Sequence, residues 1–127
     1  DAVHTGANLR DSKIDVNTTR IDPEDLLNWK LVNMPRRNRQ LRGFNLNGYN
    51  LSFASLIAAN LQKASLKLAD LKYADLSAAN LSGADLTGAD LSGAKLKDAN
   101  FQGAILFQVK TTTLTLCPNG KSGPCKL

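Results

Sequence analysis

Residues 44–108 read FNLNG YNLSF ASLIA ANLQK ASLKL ADLKY ADLSA ANLSG ADLTG ADLSG AKLKD ANFQG AILFQ, thirteen consecutive blocks of five. The third residue of each block is Leu twelve times and Phe101 once, and the first is Ala in all eleven blocks from Ala54 to Ala104. A period of five suits neither regular element. On an α-helix it would smear the leucines around every side. On a continuous strand it would send successive leucines to opposite faces. Within one block, however, the first and third residues are two apart and share a face, while the polar second residue points away. Two further residues must then turn a corner so that the next Leu again faces inward. Three extended residues and a bend, repeated, wind into an all-β solenoid lined with Ala and Leu. The 21 Leu and 15 Ala of the 127 residues are the composition of such an interior.

The tandem A-[D/N]-L-x-x pattern resembles the pentapeptide-repeat family. That resemblance implies a right-handed quadrilateral β-helix with four blocks to a coil, so the 65 residues make about three coils, some 16 Å tall at the strand spacing of roughly 4.8 Å. It further implies that the Asp and Asn at the second position face outward and hydrogen-bond along the coil. Residues 20 apart then stack. Asn60, Asn80 and Asn100 are expected to form an amide ladder, Asp75 to lie under Lys95, and Phe53 to pair with Tyr73. Phe44 and Tyr49 exceed the space of the Ala they replace, so the first coil is expected to widen or distort. Gly48, Gly83, Gly88, Gly93 and Gly103 stand at the third residue of the corner and suit a type II turn. Phe53, Lys63, Leu68 and Tyr73 share that slot and are expected to avoid positive φ, giving two kinds of corner.

The flanks read differently. Residues 1–21 contain two blocks, Ala7–Asp11 and Ser12–Val16, out of phase with the main array. They are a remnant of an upstream tract or a partial coil docked on the stack, and the initial Asp1 reads as a processed or truncated start. Residues 22–43 comprise a helix near 23–33, with Asp22 as N-cap and Pro23 at its first position, followed by an Arg-rich connection. The apolar side of that helix, with Leu27, Leu31 and Met34, seals the first coil or else links two domains. The repeats occupy 44–110. In 111–127 a β-prone stretch leads to Cys117 and Cys125, which bracket the Pro/Gly-rich PNGKSGP. The pair reads as a disulfide-closed hairpin. Closing that nine-residue loop contributes about 2.6 kcal/mol in the chain-entropy model, and two thiols without a His are too few for a metal site.

The net charge of +5 lies at the ends. Five Lys and five Asp cancel within 44–108, and the last nineteen residues carry three Lys and no acid. Arg36, Arg37, Arg39 and Arg42 crowd seven positions, as a solvated loop or as a contact for an anion or partner. Phe53 and Tyr73, with Ile57 and Leu68 on neighbouring corners, are the candidate apolar interaction surface. Asp70, Asp75, Asp85 and Asp90 belong to the repeat rather than to a catalytic pair, and no His stands among them to activate a nucleophile. No cofactor or metal motif is present, and no apolar run is long enough to span a bilayer. The expected function is a non-catalytic protein-interaction or scaffold module, monomeric, with an unknown protein partner; nucleic acid is disfavoured. A disulfide favours a periplasm or thylakoid lumen over a cytoplasm. The alternative is the family branch that mimics DNA and binds DNA gyrase, which the neutral array disfavours.

Overall fold

The computed structural model describes Leu27, Lys30–Val32 and residues 36–127. The two early blocks of 1–21, the rest of the helix expected near 23–33, and Met34 lie outside the described residues.

Single parallel bridges join residues 20 apart, from Gln40↔Asn60 through Asp90↔Lys110. Four sides result, each with four levels: Gln40, Asn60, Asn80 and Asn100 on the first, Asn45 to Ile105 on the second, Asn50 to Lys110 on the third, Ser55 to Leu116 on the fourth. Only one residue per block bridges, because three extended residues are interrupted by a corner before a longer strand can form. The ladder outruns the thirteen quoted blocks at both ends. Arg39–Gly43 is already a block, with Leu41 buried in the Leu position. At the far end Thr115–Asn119 forms another, with Cys117 in the Leu position and Asp98 N–H donating to the Pro118 carbonyl at 3.0 Å.

Every backbone N–H of a typical block is satisfied. In Ala69–Tyr73, Ala69 N–H closes the preceding corner onto the Leu66 carbonyl (3.1 Å), Asp70 N–H donates back one level to Tyr49 (2.9 Å), and Leu71 N–H donates forward to Asp90 (2.8 Å). Tyr73 N–H donates forward to Ser92 at 3.0 Å. The remaining donor, Lys72 N–H, turns to the Asp70 side-chain Oδ1 at 3.0 Å. Buried or half-buried backbone cannot leave donors unmatched, so the second position needs a side-chain acceptor two atoms beyond Cβ. Ser65 has none of the right length, and there Asn47 of the previous level accepts the Lys67 N–H at 2.9 Å instead.

The expectation of two corner types fails. Phe53, Lys63, Leu68 and Tyr73 all have positive φ (57–63°), as do Ala58, Ala78, Asp98 and Gln108 at the equivalent position. The hydrogen bonds on either side fix the corner whatever residue fills it, at a cost of about 1–2 kcal/mol for each side chain so placed. Glycine answers a second demand, that of space. A Cβ on Gly93 would lie 2.4 Å from the Tyr73 ring, and one on Gly88 would lie 2.7 Å from Leu68. Leu68 and Tyr73 lean over the next level, where only a glycine leaves them room.

The interior is a column of leucines, Leu46 to Leu96, all fully buried, with the alanines between them. Tyr49 takes an alanine's place and is 2% exposed, whereas Phe44 stays at the surface. The first level keeps the 20-residue register, so these two rings do not shift the ladder. Helical Leu31 and Val32 are buried in the same cluster.

The last side departs by one residue, since Lys95 bridges Leu116 rather than the residue before it. Thr115, wholly buried, repairs the gap: its hydroxyl accepts from Gly93 N–H (3.2 Å) and Thr112 N–H (3.0 Å), and donates to the Leu91 carbonyl (3.0 Å). Cys117 pairs with Cys125 as expected, S–S 2.03 Å. The chain folds back through an antiparallel bridge from Leu116 to Ser122, and Cys125 N–H reaches Thr111 Oγ1 at 3.0 Å.

Two stability measurements check this account. Leu76→Ala leaves a cavity in a column that cannot collapse around it, and urea unfolding should show a loss of about 2–5 kcal/mol. Ala78→Gly removes an exposed methyl from a left-handed residue (φ 58°), and should raise stability by about 1 kcal/mol. A lowered urea midpoint for the glycine variant would show that these corners carry no strain.

Candidate interaction surface

The corner that follows the third side carries Phe53, Tyr73 and Gly93 on successive levels. Phe53 and Tyr73 stack with centroids 5.2 Å apart and planes 17° from parallel. Each ring is 48% exposed. Tyr73 lies in turn over the bare backbone of Gly93. The left-handed corner aims both rings outward along one edge, and the next level supports them from beneath. The product is a rigid aromatic step whose outer half faces solvent.

The other two members of the expected patch do not join it. Leu68 is 73% exposed and stands on the preceding corner, against Gly88. The side between carries the Lys72–Asp70 ion pair, 3.5 Å long. Ile57 is half-buried on the following corner. Phe53 and Tyr73 therefore form the contiguous element, and Leu68 and Ile57 flank it across polar sides. Ile105 (51% exposed) and Phe107 (67% exposed) went unremarked in the sequence reading. Their signal was available: Ile105 is the one apolar residue at the second position in the blocks quoted above.

The four arginines divide. Arg36, Arg37 and Arg39 line a recess of about 410 Å³ together with Lys30, Leu27 and Phe44. Arg39 is half-buried there, donates from Nη2 to the Lys30 carbonyl at 3.0 Å, and is held below the usual guanidinium range by burial first and then by the Arg36 charge. Arg42 points elsewhere and donates to Gln62 Oε1 one level on, at 2.5 Å.

The second-position acids are occupied by their own corners. Asp70, Asp75, Asp85 and Asp90 each accept, through Oδ1, the N–H two residues on, at 2.9–3.0 Å. The asparagines behave alike: Asn80 Oδ1 accepts from Ser82 N–H at 3.0 Å and Asn100 Oδ1 from Gln102 N–H at 2.9 Å. This replaces the expected amide ladder, which survives only as backbone bridges Asn60↔Asn80↔Asn100 and one side-chain bond from Asn60 Nδ2 to Gln40 Oε1 (3.1 Å). Asp75 and Lys95 share a bridge but no ion pair; Lys67 instead meets Asp85 at 3.6 Å. Among the described residues no helix is long and apolar enough to cross a membrane.

Corner bonds shift Asp85 and Asp90. The Thr87 hydroxyl and then its N–H hold the Asp85 carboxyl below the usual carboxylate range. At Asp90 burial alone would raise the pKa, but the Ser92 hydroxyl and N–H outweigh it, and the result is again lowered. A carboxyl with a lowered folded-state pKa stabilises above its unfolded value, about pH 4, and that contribution vanishes as pH falls through the folded value. Asp85→Asn with Asp90→Asn keeps both acceptors and removes both titrations. Urea midpoints for this variant should fall less than those of the wild type between roughly pH 5 and pH 3; parallel curves would mean that the corner acids do not govern acid stability.

Comparison with known proteins agrees with this geometry. The family description "Pentapeptide repeats" matches eight copies over residues 40–72 and 74–110. A solved pentapeptide repeat protein from Nostoc Pcc 7120 is 33% identical over 72% of this chain and 78% of its own, with a TM-score of 0.62. A second, from the cyanobacterium Cyanothece 51142, is 32% identical over 64% of this chain and 58% of its own, TM-score 0.39. A third, from the Arabidopsis thaliana thylakoid lumen, is 24% identical over 65% and 63%, TM-score 0.25. No curated protein sequence matches the chain. The family match begins at Gln40, the residue that makes the first bridge. This chain thus belongs to the pentapeptide-repeat family, and its four-sided ladder is that family's right-handed quadrilateral β-helix.

Proposed function

We propose that the chain is a non-catalytic protein-interaction or scaffold module that docks an unidentified protein partner on the Phe53–Tyr73 step. The observation that carries this is the stack itself. Two aromatic rings, half exposed, are held in left-handed corners that disfavour them, Phe53 stacked on Tyr73 and Tyr73 on Gly93. Rigid aromatics with one free face are the usual anchors of protein interfaces. Leu68 and Ile57 on the adjoining corners widen the contact, and the Arg36, Arg37 and Arg39 recess adds a basic rim. The acids of the repeat serve the fold and leave no reactive pair.

The finer architecture belongs to the same reading. The helical residues Leu27 and Lys30–Val32 cover the first level, supported by the burial of Leu31 and Val32. The disulfide closes the other end and favours an oxidising compartment, a periplasm or thylakoid lumen. We read the module as a monomer, since its ends are both basic. The gyrase-binding, DNA-mimicking alternative calls for an acidic rod, and the Lys and Asp of 44–108 cancel.

Pulldown from periplasmic and lumenal extracts tests the docking face. The wild type and Ala78→Gly should retain the same partner, while Phe53→Ala/Tyr73→Ala and Gly93→Ala should lose it. Gly93→Ala alters no exposed aromatic and acts only by displacing Tyr73. Equal recovery on all four baits would overturn the assignment.

A further inference from the structure

The last level of the ladder is covered on one side and bare on another. The hairpin of Leu116–Ser122 and the bond from Cys125 N–H to Thr111 bring the chain back over the end of the column as far as Thr111. Cys125 and Leu127 share a recess with Leu106 and Val109, but the backbone edge of the second side, 104–108, receives no backbone hydrogen bond from the tail. At lower levels of this side Leu86 N–H donates to Ile105 at 2.8 Å, Gly88 N–H to Phe107 at 2.9 Å, and Ile105 N–H to Ala84 at 2.8 Å. The corresponding groups one level on, Leu106 N–H, Gln108 N–H and the Ala104 carbonyl, have no partner among the described residues.

At that same edge the repeat breaks its own rule. The level below has Asp85 and Thr87, bonded to each other at 2.6 Å; the edge level has Ile105 and Phe107, both more than half exposed. With Ile in the second position, Phe107 N–H also loses the acceptor that Asp85 supplies to Thr87. An exposed edge is normally blunted with charge. Here charge is absent from the edge strand and two apolar side chains flank its unpaired donors. The surrounding chain is basic, since residues 109–127 hold Lys110, Lys121 and Lys126 and no acid.

We propose that the 104–108 edge receives an extended acidic segment of a partner protein as one more strand. A single residue of the incoming segment would offer its carbonyl to Leu106 N–H and its N–H to the Ala104 carbonyl, as Ile105 does for the level below. Its outward apolar side chain would stack on Ile105, and the next alternate one would meet Phe107. The residue between them turns inward over Leu106 and is best apolar too, while acidic residues on either side of this stretch complement the basic charge of 109–127. A second copy of this chain is the poorer occupant, because stacking two such ends brings six lysines together without a counter-charge. This edge lies apart from the aromatic step and does not depend on it.

The test uses the oxidised chain and a fluorescein-labelled heptapeptide with three central Val flanked on each side by two Glu, with the same peptide carrying Lys for Glu as control. Polarisation should show saturable binding of the acidic peptide, weakened at high salt, and at least tenfold weaker binding of the basic one. Ile105→Asn/Phe107→Ser restores the family pattern at this block, so it should fold at least as well, and should lose binding tenfold or more. Phe53→Ala/Tyr73→Ala should bind like the wild type, which separates this edge from the docking face above. In amide exchange the peptide should newly protect Leu106 and Gln108. Equal binding of both peptides, undiminished binding by the edge variant, or a concentration-dependent dimer that the edge variant abolishes would each overturn the proposal.

Discussion

The Asp or Asn oxygen that accepts the N–H two residues on is the contact that makes a five-residue period possible. Four of the five N–H groups in a block find carbonyls within the ladder and its corners. The fifth sits at the corner itself, where the backbone has turned away from the levels above and below. Without a local acceptor each corner would leave a half-buried donor unmet, at a cost of about 1–3 kcal/mol. Repeated at every corner, such a deficit exceeds the stability of a small domain. The second position is therefore restricted by backbone chemistry, although its side chain faces solvent.

The same corner explains why the interior admits so little variety. Each side contributes three extended residues, and only the first and third face inward, so one level holds four leucines and four small neighbours. A level cannot widen by itself, since its ladder bonds of 2.7–3.0 Å tie it to its neighbours along the axis. Larger residues enter the small position only at the ends: Arg39, Phe44 and Tyr49 in the first level, Val109 and Thr115 in the last. There one neighbouring level is missing, and the constraint relaxes on that side.

The coil itself was legible because its signal is short-range: Leu every five residues, polar partner beside it. What escaped the reading depends on residues 20 apart or on hydrogen bonds without a sequence signature. The left-handed φ of Tyr73 cannot be read from Tyr, since the backbone bonds to Ser92 and Leu71 impose it. Gly93 looked like turn chemistry, but every corner turns alike and its smallness answers the Tyr73 ring one level before. Arg39–Gly43 reads as a connection because Arg and Gln stand where Ala and Asp are usual, although Leu41 and Gly43 keep the phase. Cys117 was legible as a disulfide and illegible as a core residue, because the extra residue around Thr115 moves it out of the count of five. Of the surface, the Phe53–Tyr73 pair followed from the 20-residue spacing alone. Ile105 and Phe107 stood out only once the level below them was seen to be polar and self-bonded.

Departures from the repeat therefore separate into two kinds with different physical meaning. Thr115 and Cys117 depart and are compensated: the hydroxyl replaces a missing carbonyl, and the disulfide lies over the column end. Such changes repair the fold and need no partner to explain them. The Phe53–Tyr73 pair and the Ile105–Phe107 pair depart and return less: the rings gain their mutual stack and half their burial, and the second pair gains no hydrogen bond. The first places rings in strained corners with half their surface in water; the second gives up a corner acceptor and exposes two large apolar side chains. Such a breach costs free energy that an isolated chain recovers only in part. Contact with another molecule can recover it, so these two breaches mark where the chain's interactions are to be sought.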